Sequence, residues 1–404
     1  MKTAIVGGGA AGFFLAITLK ELCPKMHVCI LERQRRVLAK VEITGGGRCN
    51  CTNTFQSGLD LQHIYPRGHR LLKGWLRAFS HEDAIRWFES RGVPLVAQED
   101  GCIFPEAQDS HAIINLFLRE CHKLGVEIRT GTDALDASRV DLTQYDHVCI
   151  CTGGLHGQVL HTLQQWGVRL TNPVPSLFTF HITDPALQQL MGTVVEDAVC
   201  SLSGTKLKAQ GPLLITHWGM SGPAILKLSS RGARLLAENQ YHATLAVNWV
   251  GGRTAEEVAS YLQETFSRQT ARLIDNVRPY DLQNRLWDYL LDKVGLRGRR
   301  CGEAGRKQLN RLAELLTHDQ YTIQGRWHHK EEFVTCGGVE LSAIDRKTLR
   351  YTAPLNVPIP NLYFAGEVLD VDGITGGYNL QAAWTTATLV ARGICNCSEC
   401  IVES

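Results

Sequence analysis

The residues with the clearest chemical meaning form a glycine-rich turn near the start of the sequence. Gly7–Gly12 follows a short apolar stretch, Thr3–Val6, and the apolar residues after it recur at helical spacing. A second apolar stretch, His27–Leu31, ends on Glu32, which lies twenty residues beyond Gly12. The pattern predicts a strand, a tight turn, a helix and a second strand that ends on an acid. This arrangement is typical of dinucleotide binding.

Each position of the turn has a physical task in such a site. Gly7 permits the tight turn, Gly9 lets a pyrophosphate approach the backbone, and Gly12 lets helix and strand pack closely. The helix N-terminus offers free N–H groups and the positive end of its dipole to the phosphates. Glu32 can accept hydrogen bonds from a ribose, and its charge would repel a 2′-phosphate. We therefore expect contacts at Gly7, Gly9, Ala10, Ala11, Gly12 and Glu32.

A second glycine cluster, Thr44–Asn50, follows a basic stretch of the chain. Consecutive glycines do not form a stable helix or strand interior, and they suit a place where the backbone passes close to a ligand. Arg48 could neutralise a pyrophosphate or hold a substrate carboxylate. The alternative is a solvent loop with an isolated arginine. From this region the predicted binding residues are Arg33, Lys40, Gly46, Gly47, Arg48 and Cys49.

Two further turns follow apolar strands, Asp146–Cys151 and Asn361–Ala365. The second turn leads to two adjacent glycines that open a helix of small and apolar residues, Leu380–Arg392. Such a helix points bare N–H groups at a negative group, which in flavin sites is the C2=O/N1 edge of the ring. These segments predict FAD and contacts at Thr152, Gly153, Gly366, Glu367, Asp370, Gly376, Gly377, Tyr378, Asn379, Leu380 and Gln381.

Length and composition limit the class of protein. The 404 residues predict two or three domains, and the formal charge of +2 without a basic block argues against nucleic acid or an anionic membrane as partner. No apolar run reaches the ~20 residues that a membrane helix needs. Fourteen cysteines without an export signal predict a reducing, cytoplasmic compartment. The tail cysteines Cys395, Cys397 and Cys400 lack a clear fourth ligand, so no metal site is predicted.

The character of the sequence changes near Pro173. Four short strand candidates follow without intervening helices of βαβ length: Phe178–Ile182, Thr193–Cys200, Leu213–His217 and Tyr241–Trp249. Residues 254–317 turn helical after a capping box at Thr254. The predicted fold is therefore α/β, with a Rossmann-type FAD-binding domain in two parts, 1–172 and 334–404. Between them lies an inserted, mostly antiparallel β domain, 173–333, that carries the helical subdomain and shapes the substrate pocket.

These motifs resemble a family of bacterial NAD(P)/FAD-dependent oxidoreductases, which includes aminoacetone-oxidase-like proteins and proteins linked to bile-acid dehydroxylation. The Gly-Gly-Gly-Arg-Cys-Asn segment and the run Ala365–Gln381 carry the most specific part of the resemblance. The resemblance implies a split FAD-binding domain interrupted by a β-rich insert. Family members usually carry a longer polar segment after the turn at Thr152, whereas here Leu155–Gln158 leads directly into a helix-like run.

The preferred hypothesis is an FAD-dependent oxidoreductase that acts on a small molecule. The flavin would take a hydride from the substrate or from transient NAD(P)H, and would pass electrons to oxygen or to an unsaturated bond. His217 is the candidate catalytic group, although its segment also suits a turn with Pro223 in a first helical turn. The alternative is a flavin-binding module in redox sensing or RNA modification. The sequence does not indicate an oligomeric state.

Overall fold

The computed structural model describes residues 1–56, 60–327 and 334–396 of the chain. The chain forms two compact units. The first consists of Met1–Pro175 together with the segment that starts at Lys330, and the second is Ser176–His329. The predicted insert, 173–333, covers the second unit. The two ends of the sequence therefore belong to one folded body.

A five-stranded parallel sheet forms the centre of the first unit in the described residues. Four of its strands are short, apolar and almost wholly buried, as expected for a sheet with both faces covered, whereas the edge strand Glu127–Arg129 is partly exposed. In sheet order the five strands are Leu362–Phe364, His147–Ile150, Lys2–Val6, His27–Leu31 and Glu127–Arg129. All neighbouring pairs are parallel, so the carboxyl ends of strands from both ends of the chain meet at one edge.

Helices cover this sheet and hold the first and last parts of the chain together. Their bounds are Ala10–Leu22, Leu61–Ile64, His69–Ala78, His81–Glu89, His111–Leu124, Gly157–Gln165 and Tyr378–Cys395. We call the last of these the C-terminal helix. It packs on helix Ala10–Leu22, and the ring centroids of Phe14 and Trp384 lie 5.2 Å apart. Helices His69–Ala78 and His81–Glu89 are separated at Ser80, which begins the second helix by a capping box with Asp83.

Smaller elements complete the first unit. An antiparallel sheet consists of Thr52–Asn53, Cys102–Pro105 and Leu95–Ala97. Single helical turns occur at Leu142–Gln144 and Leu341–Ala343, and the strands Val174–Ser176 and Val334–Cys336 lie where the chain leaves and re-enters the unit. A broken helical segment spans Ala39–Gly47.

An antiparallel seven-stranded sheet forms the second unit, as the β-rich insert predicted. In sheet order its strands are Asp319–Ile323, Ala243–Asn248, Val194–Leu202, Lys208–Thr216, Gly219–Ser221, Phe180–His181 and Gly325–Arg326. The longest pair carries a bulge between Val195 and Ala198. Such an irregularity bends the strand and increases its twist.

The helices of the second unit correct one expectation. They span Pro185–Gln188, Pro223–Arg231, Ala233–Glu238, Ala255–Ser267, Asn284–Val294 and Arg306–Thr317, with single turns at Ile274–Asn276 and Cys301–Glu303. The expectation of strands without intervening helices was wrong, because Pro223–Glu238 is helical between two strands, with Pro223 in the first turn. The capping box at Thr254 is confirmed. No helix in the described ranges is long and apolar enough to cross a membrane.

Candidate functional site

The first glycine turn, Gly7–Gly12, contains glycines of two kinds. A Cβ on Gly7 would lie 2.4 Å from the carbonyl oxygen of Cys151, and one on Gly12 would lie 2.1 Å from the carbonyl oxygen of Gly7. Both glycines are therefore required by packing. A Cβ on Gly9 would meet nothing within 4 Å, so this glycine borders open space. Space beside a bare backbone is what a pyrophosphate needs at the start of a helix.

The helix that follows, Ala10–Leu22, begins without any protein group to balance its N-terminus. Gly9 stands at the N-cap, no side chain caps the helix, and no acid lies in its first turn. The first N–H groups of a helix need acceptors, and the dipole favours a negative one. The helix start thus suits a phosphate group.

The carboxylate of Glu32 is fixed at the end of the second strand of the chain. Its Oε2 accepts a hydrogen bond from the Gly8 N–H at 2.7 Å, and its Oε1 accepts one from the Gln34 N–H at 2.7 Å. The sequence analysis did not include Gly8. Because each carboxylate oxygen has two lone pairs, one on each remains for a ribose hydroxyl.

Two other segments meet at the same edge of the sheet around Glu367. Lys40 Nζ lies 3.1 Å from Glu367 Oε2, and the N–H of Thr335 donates to Glu367 Oε1 at 3.0 Å. A Cβ on Gly153 would lie 3.7 Å from Glu367 Oε2. The hydroxyl of Thr152 is buried and has no hydrogen-bond partner among the residues that the structure describes. A buried hydroxyl without a partner is costly, and it indicates a position where a bound group supplies one.

His156 stands beside this cluster at the N-cap of helix Gly157–Gln165. Burial lowers the pKa of its imidazole, and the positive charge of Lys40 lowers it further, against the opposing effect of Glu367. Arg33 adds a smaller effect of the same sign as Lys40. The imidazole is therefore neutral at neutral pH, and it was not among the predicted site residues.

The two distant glycine segments touch each other at Gly366. A Cβ on this glycine would lie 2.8 Å from the Cβ of Ala11, and its backbone φ of +82° favours glycine. Its N–H donates to the hydroxyl of Thr386, inside the C-terminal helix. Residues from the start and the end of the chain therefore form one site in the first unit.

The C-terminal helix also begins at glycines and has no acid in its first turn. Gly377 has a φ of +84°, and a Cβ there would lie 2.3 Å from the carbonyl oxygen of Thr52. Asn379 closes the preceding loop, since its side chain both accepts from the N–H of Gly373 and donates to its carbonyl. The helix start is thus rigid and carries an unbalanced positive dipole end.

Several predicted contact residues have side chains that bind other protein groups. Asn379 binds Gly373, and the buried amide of Gln381 accepts from Thr52 and donates to Thr385. Tyr378 is buried, and its carbonyl accepts from the hydroxyl of Tyr65. The backbones of Asn379 and Gln381 are therefore left for a cofactor, whereas in Tyr378 it is the backbone carbonyl that already has a partner. Leu380 lies between Asn379 and Gln381 in the first turn, and Asp370 precedes the helix in the loop that begins after Glu367.

The glycine cluster after Lys40 is a kinked loop rather than a continuous helix. Thr44, Gly45 and Gly46 leave helical geometry, and a Cβ on Gly46 would meet nothing within 4 Å. Arg48 lies over the ring of Phe104, with its guanidinium carbon 4.1 Å from the ring centre. The backbone of Gly46 and Gly47 borders open space, whereas Cys49 is fully buried and lies outside any such surface.

His217 lies in the second unit, in the tight turn between strands Lys208–Thr216 and Gly219–Ser221. The predicted strand therefore ends one residue earlier than expected. Its exposed ring packs against Trp218, with the ring centres 4.3 Å apart. No group of histidines, cysteines and acids in the described part of the chain could hold a metal ion. Cys397 and Cys400 lie outside the described residues.

A sequence model of the HI0933-like protein Rossmann domain matches residues 1–393. The chain belongs to this family. Among HI0933-like relatives, the ribosomal RNA dihydrouridine synthase of Haemophilus influenzae is 26% identical over 97% of the chain and 98% of its own length. The 3-dehydro-bile acid delta(4,6)-reductase of Clostridium scindens is also 26% identical, with the same two coverages.

The fold also occurs in a solved flavoenzyme structure. The 3-ketosteroid delta1-dehydrogenase of Sterolibacterium denitrificans aligns over 97% of the chain with a TM-score of 0.50 and 10% identity, which shows similarity of fold alone. The predicted Rossmann-type α/β fold and the predicted family are confirmed. This HI0933-like chain is an FAD-dependent oxidoreductase, and the open backbone at Gly9 and the orphan hydroxyl of Thr152 fit that cofactor.

Proposed function

We propose that the chain reduces a carbon–carbon double bond conjugated to a carbonyl group. The observation that carries this proposal is the chemistry shared by its full-length relatives. A dihydrouridine synthase saturates the C5=C6 bond of uracil, and a delta(4,6)-reductase acts on double bonds of a 3-oxo steroid. Uracil and the Δ4 bond accept a hydride at the carbon β to a carbonyl and a proton at the α carbon. The Δ6 bond accepts a hydride at the δ carbon, because it is conjugated to the same carbonyl through the Δ4 bond.

The residues of the first unit fit the binding and polarisation that this reaction needs. When bound, FAD supplies the hydride transfer. The backbone at Gly9 and the start of helix Ala10–Leu22 would hold the pyrophosphate, and Glu32 the ribose. The start of the C-terminal helix would stabilise negative charge at the flavin ring. Glu367 and Thr152 would bind the hydroxyl-bearing chain between these parts.

We propose that NAD(P)H is the electron donor. Anaerobic mixing of the FAD-loaded protein with NADH or NADPH should bleach the flavin absorbance. Subsequent addition of an acceptor should restore the absorbance and give a product that is heavier by two hydrogens. Two acceptors test the proposal: a 3-oxo-Δ4 steroid, and ribosomal RNA from a strain that lacks the gene. If neither acceptor reoxidises the flavin, the proposed reaction is wrong, and failure to bleach would favour a binding or sensing role.

His217 stays our candidate for the group that supplies the proton to the α carbon. Replacement by asparagine keeps a polar side chain of similar size but cannot donate a proton in the same way. His217→Asn should lower turnover with the productive acceptor about 10²-fold while the flavin stays bound. His242 is an exposed histidine of the same unit, so His242→Asn is the matched control. Equal turnover of the two variants would remove His217 from the mechanism.

A further inference from the structure

A concentration of positive charge lies in the helical part of the second unit. From Arg297 to Arg311 the sequence carries six basic residues and one acid, Glu303. The near-neutral charge of the whole chain hides this local excess. We use the name basic surface for its exposed members, Arg299, Arg300, Arg306, Lys307 and Arg311.

Most of these cations are not used inside the protein. Arg297, which is outside the basic surface, forms ion pairs with three aspartates, at 2.8 Å in the case of Asp292. Arg300 donates to the carbonyl of Ala271. The side chains of the other four members of the basic surface form no hydrogen bond or ion pair with any residue in the described ranges. Their charges therefore face solvent and are available to an external anion.

Two of the cations occupy positions that work against helix stability. Arg306 and Lys307 are the first two residues of helix Arg306–Thr317, where the positive end of the dipole favours acids. Lys307 and Arg311 are four residues apart on the same face, which adds repulsion between like charges. Because helix stability does not explain these positions, an anionic ligand is the better physical reason for them.

The scaffold under the basic surface is rigid. The N–H of Cys301 donates to the carbonyl of Arg272 at 2.9 Å, and Arg300 forms an antiparallel bridge with Leu273. Leu309 and Leu312 of the same helix are buried. The cations therefore extend from a well-fixed backbone. This suits a ligand whose phosphate groups are regularly spaced.

We propose that the basic surface binds the phosphate backbone of an RNA that carries the base to be reduced. This inference rests on the proposed function, with uracil in RNA as the substrate.

A membrane surface fits less well, because a membrane-binding face combines cations with several large inserted apolar side chains. On the segment from Arg297 to Arg311 no large apolar side chain is exposed, and Leu273, which bridges to Arg300, supplies a single exposed one beside it. The net charge of the whole chain, which argues against a nucleic-acid partner, does not take this local excess into account, and the excess is the reason for proposing such a partner.

The test measures the affinity of the full-length, FAD-loaded protein for a fluorescently labelled ribosomal RNA fragment over a range of salt, without an electron donor. Lys307→Gln/Arg311→Gln is the test variant. Arg70→Gln/Lys73→Gln removes the same charge from an exposed helix face of the first unit and is the matched control. The test variant should bind about tenfold or more weakly at low salt. Its salt slope should fall by about 0.7–0.9 for each lost phosphate contact.

Binding and salt slope equal to those of the control would overturn the inference. So would a test variant that keeps RNA affinity but loses binding to phosphatidylserine vesicles. If the test variant does not fold, as judged by circular dichroism, Arg299→Gln/Arg306→Gln replaces it. Because the binding assay contains no electron donor, it tests the inference alone. Reduction of uridine is measured separately with NADH or NADPH, and RNA binding through the basic surface without reduction in that second assay would contradict only the proposed function. Reduction of uridine by a variant with unchanged RNA affinity would contradict only the inference.

Discussion

At the scale of residues, neighbouring glycines of the first turn do different work. Gly7 and Gly12 are needed because backbone oxygens occupy the space where a side chain would lie. Gly9 has no such neighbour and an extended backbone that any residue can adopt, with φ −96° and ψ −166°. We propose that its lack of a side chain serves a ligand rather than the fold. Substitutions at these positions can therefore distinguish a role in FAD binding from a role in the stability of the fold.

Gly9→Ala and Gly12→Ala should therefore change different properties: the first should weaken FAD binding, and the second should lower stability. Gly12→Ala forces helix and strand apart, and it should lower the free energy of unfolding of the apo-protein by about 1–3 kcal/mol. Gly9→Ala should change that free energy by less than about 1 kcal/mol. It should weaken FAD binding about tenfold or more, because a methyl group then lies where the pyrophosphate would approach. Urea unfolding and FAD titration measure both quantities, and normal FAD affinity in Gly9→Ala would refute the assigned role.

His156 gives the apo-protein a pH dependence of known sign. Burial and Lys40 lower the pKa of its imidazole in the folded state, while the unfolded value is about 6.5. The contribution of the neutral imidazole to stability is present above that value, and it is lost as pH falls towards the folded pKa. Between pH 7 and pH 5, His156→Gln should thus lose less unfolding free energy than the wild type. If urea unfolding shows that the variant and the wild type lose equal unfolding free energy over this pH range, His156 does not contribute to the pH dependence of stability.

At the scale of elements, the loop before the C-terminal helix is fixed by a buried ion pair. Asp372 is fully buried, and both of its oxygens accept hydrogen bonds from the guanidinium of Arg67. Arg67 lies just after the short helix Leu61–Ile64, whereas Asp372 lies four residues before Gly376. The pair therefore joins a distant segment to the glycines that begin the C-terminal helix.

Asp372→Asn should lower the free energy of unfolding by about 3–5 kcal/mol, because the buried arginine loses its bidentate carboxylate and keeps only the weaker attraction of Asp370. Glu264→Gln is the control, since Glu264 pairs with Arg268 at the surface and its loss should cost less than about 1 kcal/mol. Chemical denaturation of both variants measures the difference. Equally small losses of unfolding free energy in the two variants would mean that the Arg67–Asp372 pair does not fix the loop.

Elements whose sequence signal lies within a few residues were predicted, whereas elements that depend on tertiary packing were missed. The glycine turns and the buried parallel strands carry their cause within a few residues, so they were predicted with nearly correct bounds. The break at Ser80 also had a local signal, a serine followed three residues later by an acid, which was not used. Helices Pro223–Glu238 were missed because Gly232 divides them into short segments, and packing against the sheet stabilises them.

The candidate site follows the same rule. Glu32, Gly9 and Gly366 were predicted as contacts because each follows a strand of the parallel sheet, and the structure places them just after the ends of those strands. The interactions of His156, Thr335 and Gly8 could not, because they depend on segments far apart in the sequence meeting at one sheet edge. Gln381 and Asn379 were predicted as contacts through the start of the helix, and the tertiary bonds of their side chains could not be predicted from the sequence.

At the scale of the whole molecule, a chain interrupted by a second unit builds one parallel sheet from its two ends. Strand Leu362–Phe364 joins the sheet beside His147–Ile150, which in turn pairs with Lys2–Val6. This topology brings Ala11 and Gly366 into contact. We therefore propose that the glycine segments from both ends of the chain bind the same FAD molecule.

Calorimetric titration of the apo-protein with FAD tests that claim most directly. We predict one FAD per chain, with weaker binding in Gly9→Ala at one end and in Glu367→Gln at the other. Failure of the wild-type protein to bind FAD would contradict the account. Unchanged affinity in either variant would also contradict it, because the cofactor would then not span the two glycine segments.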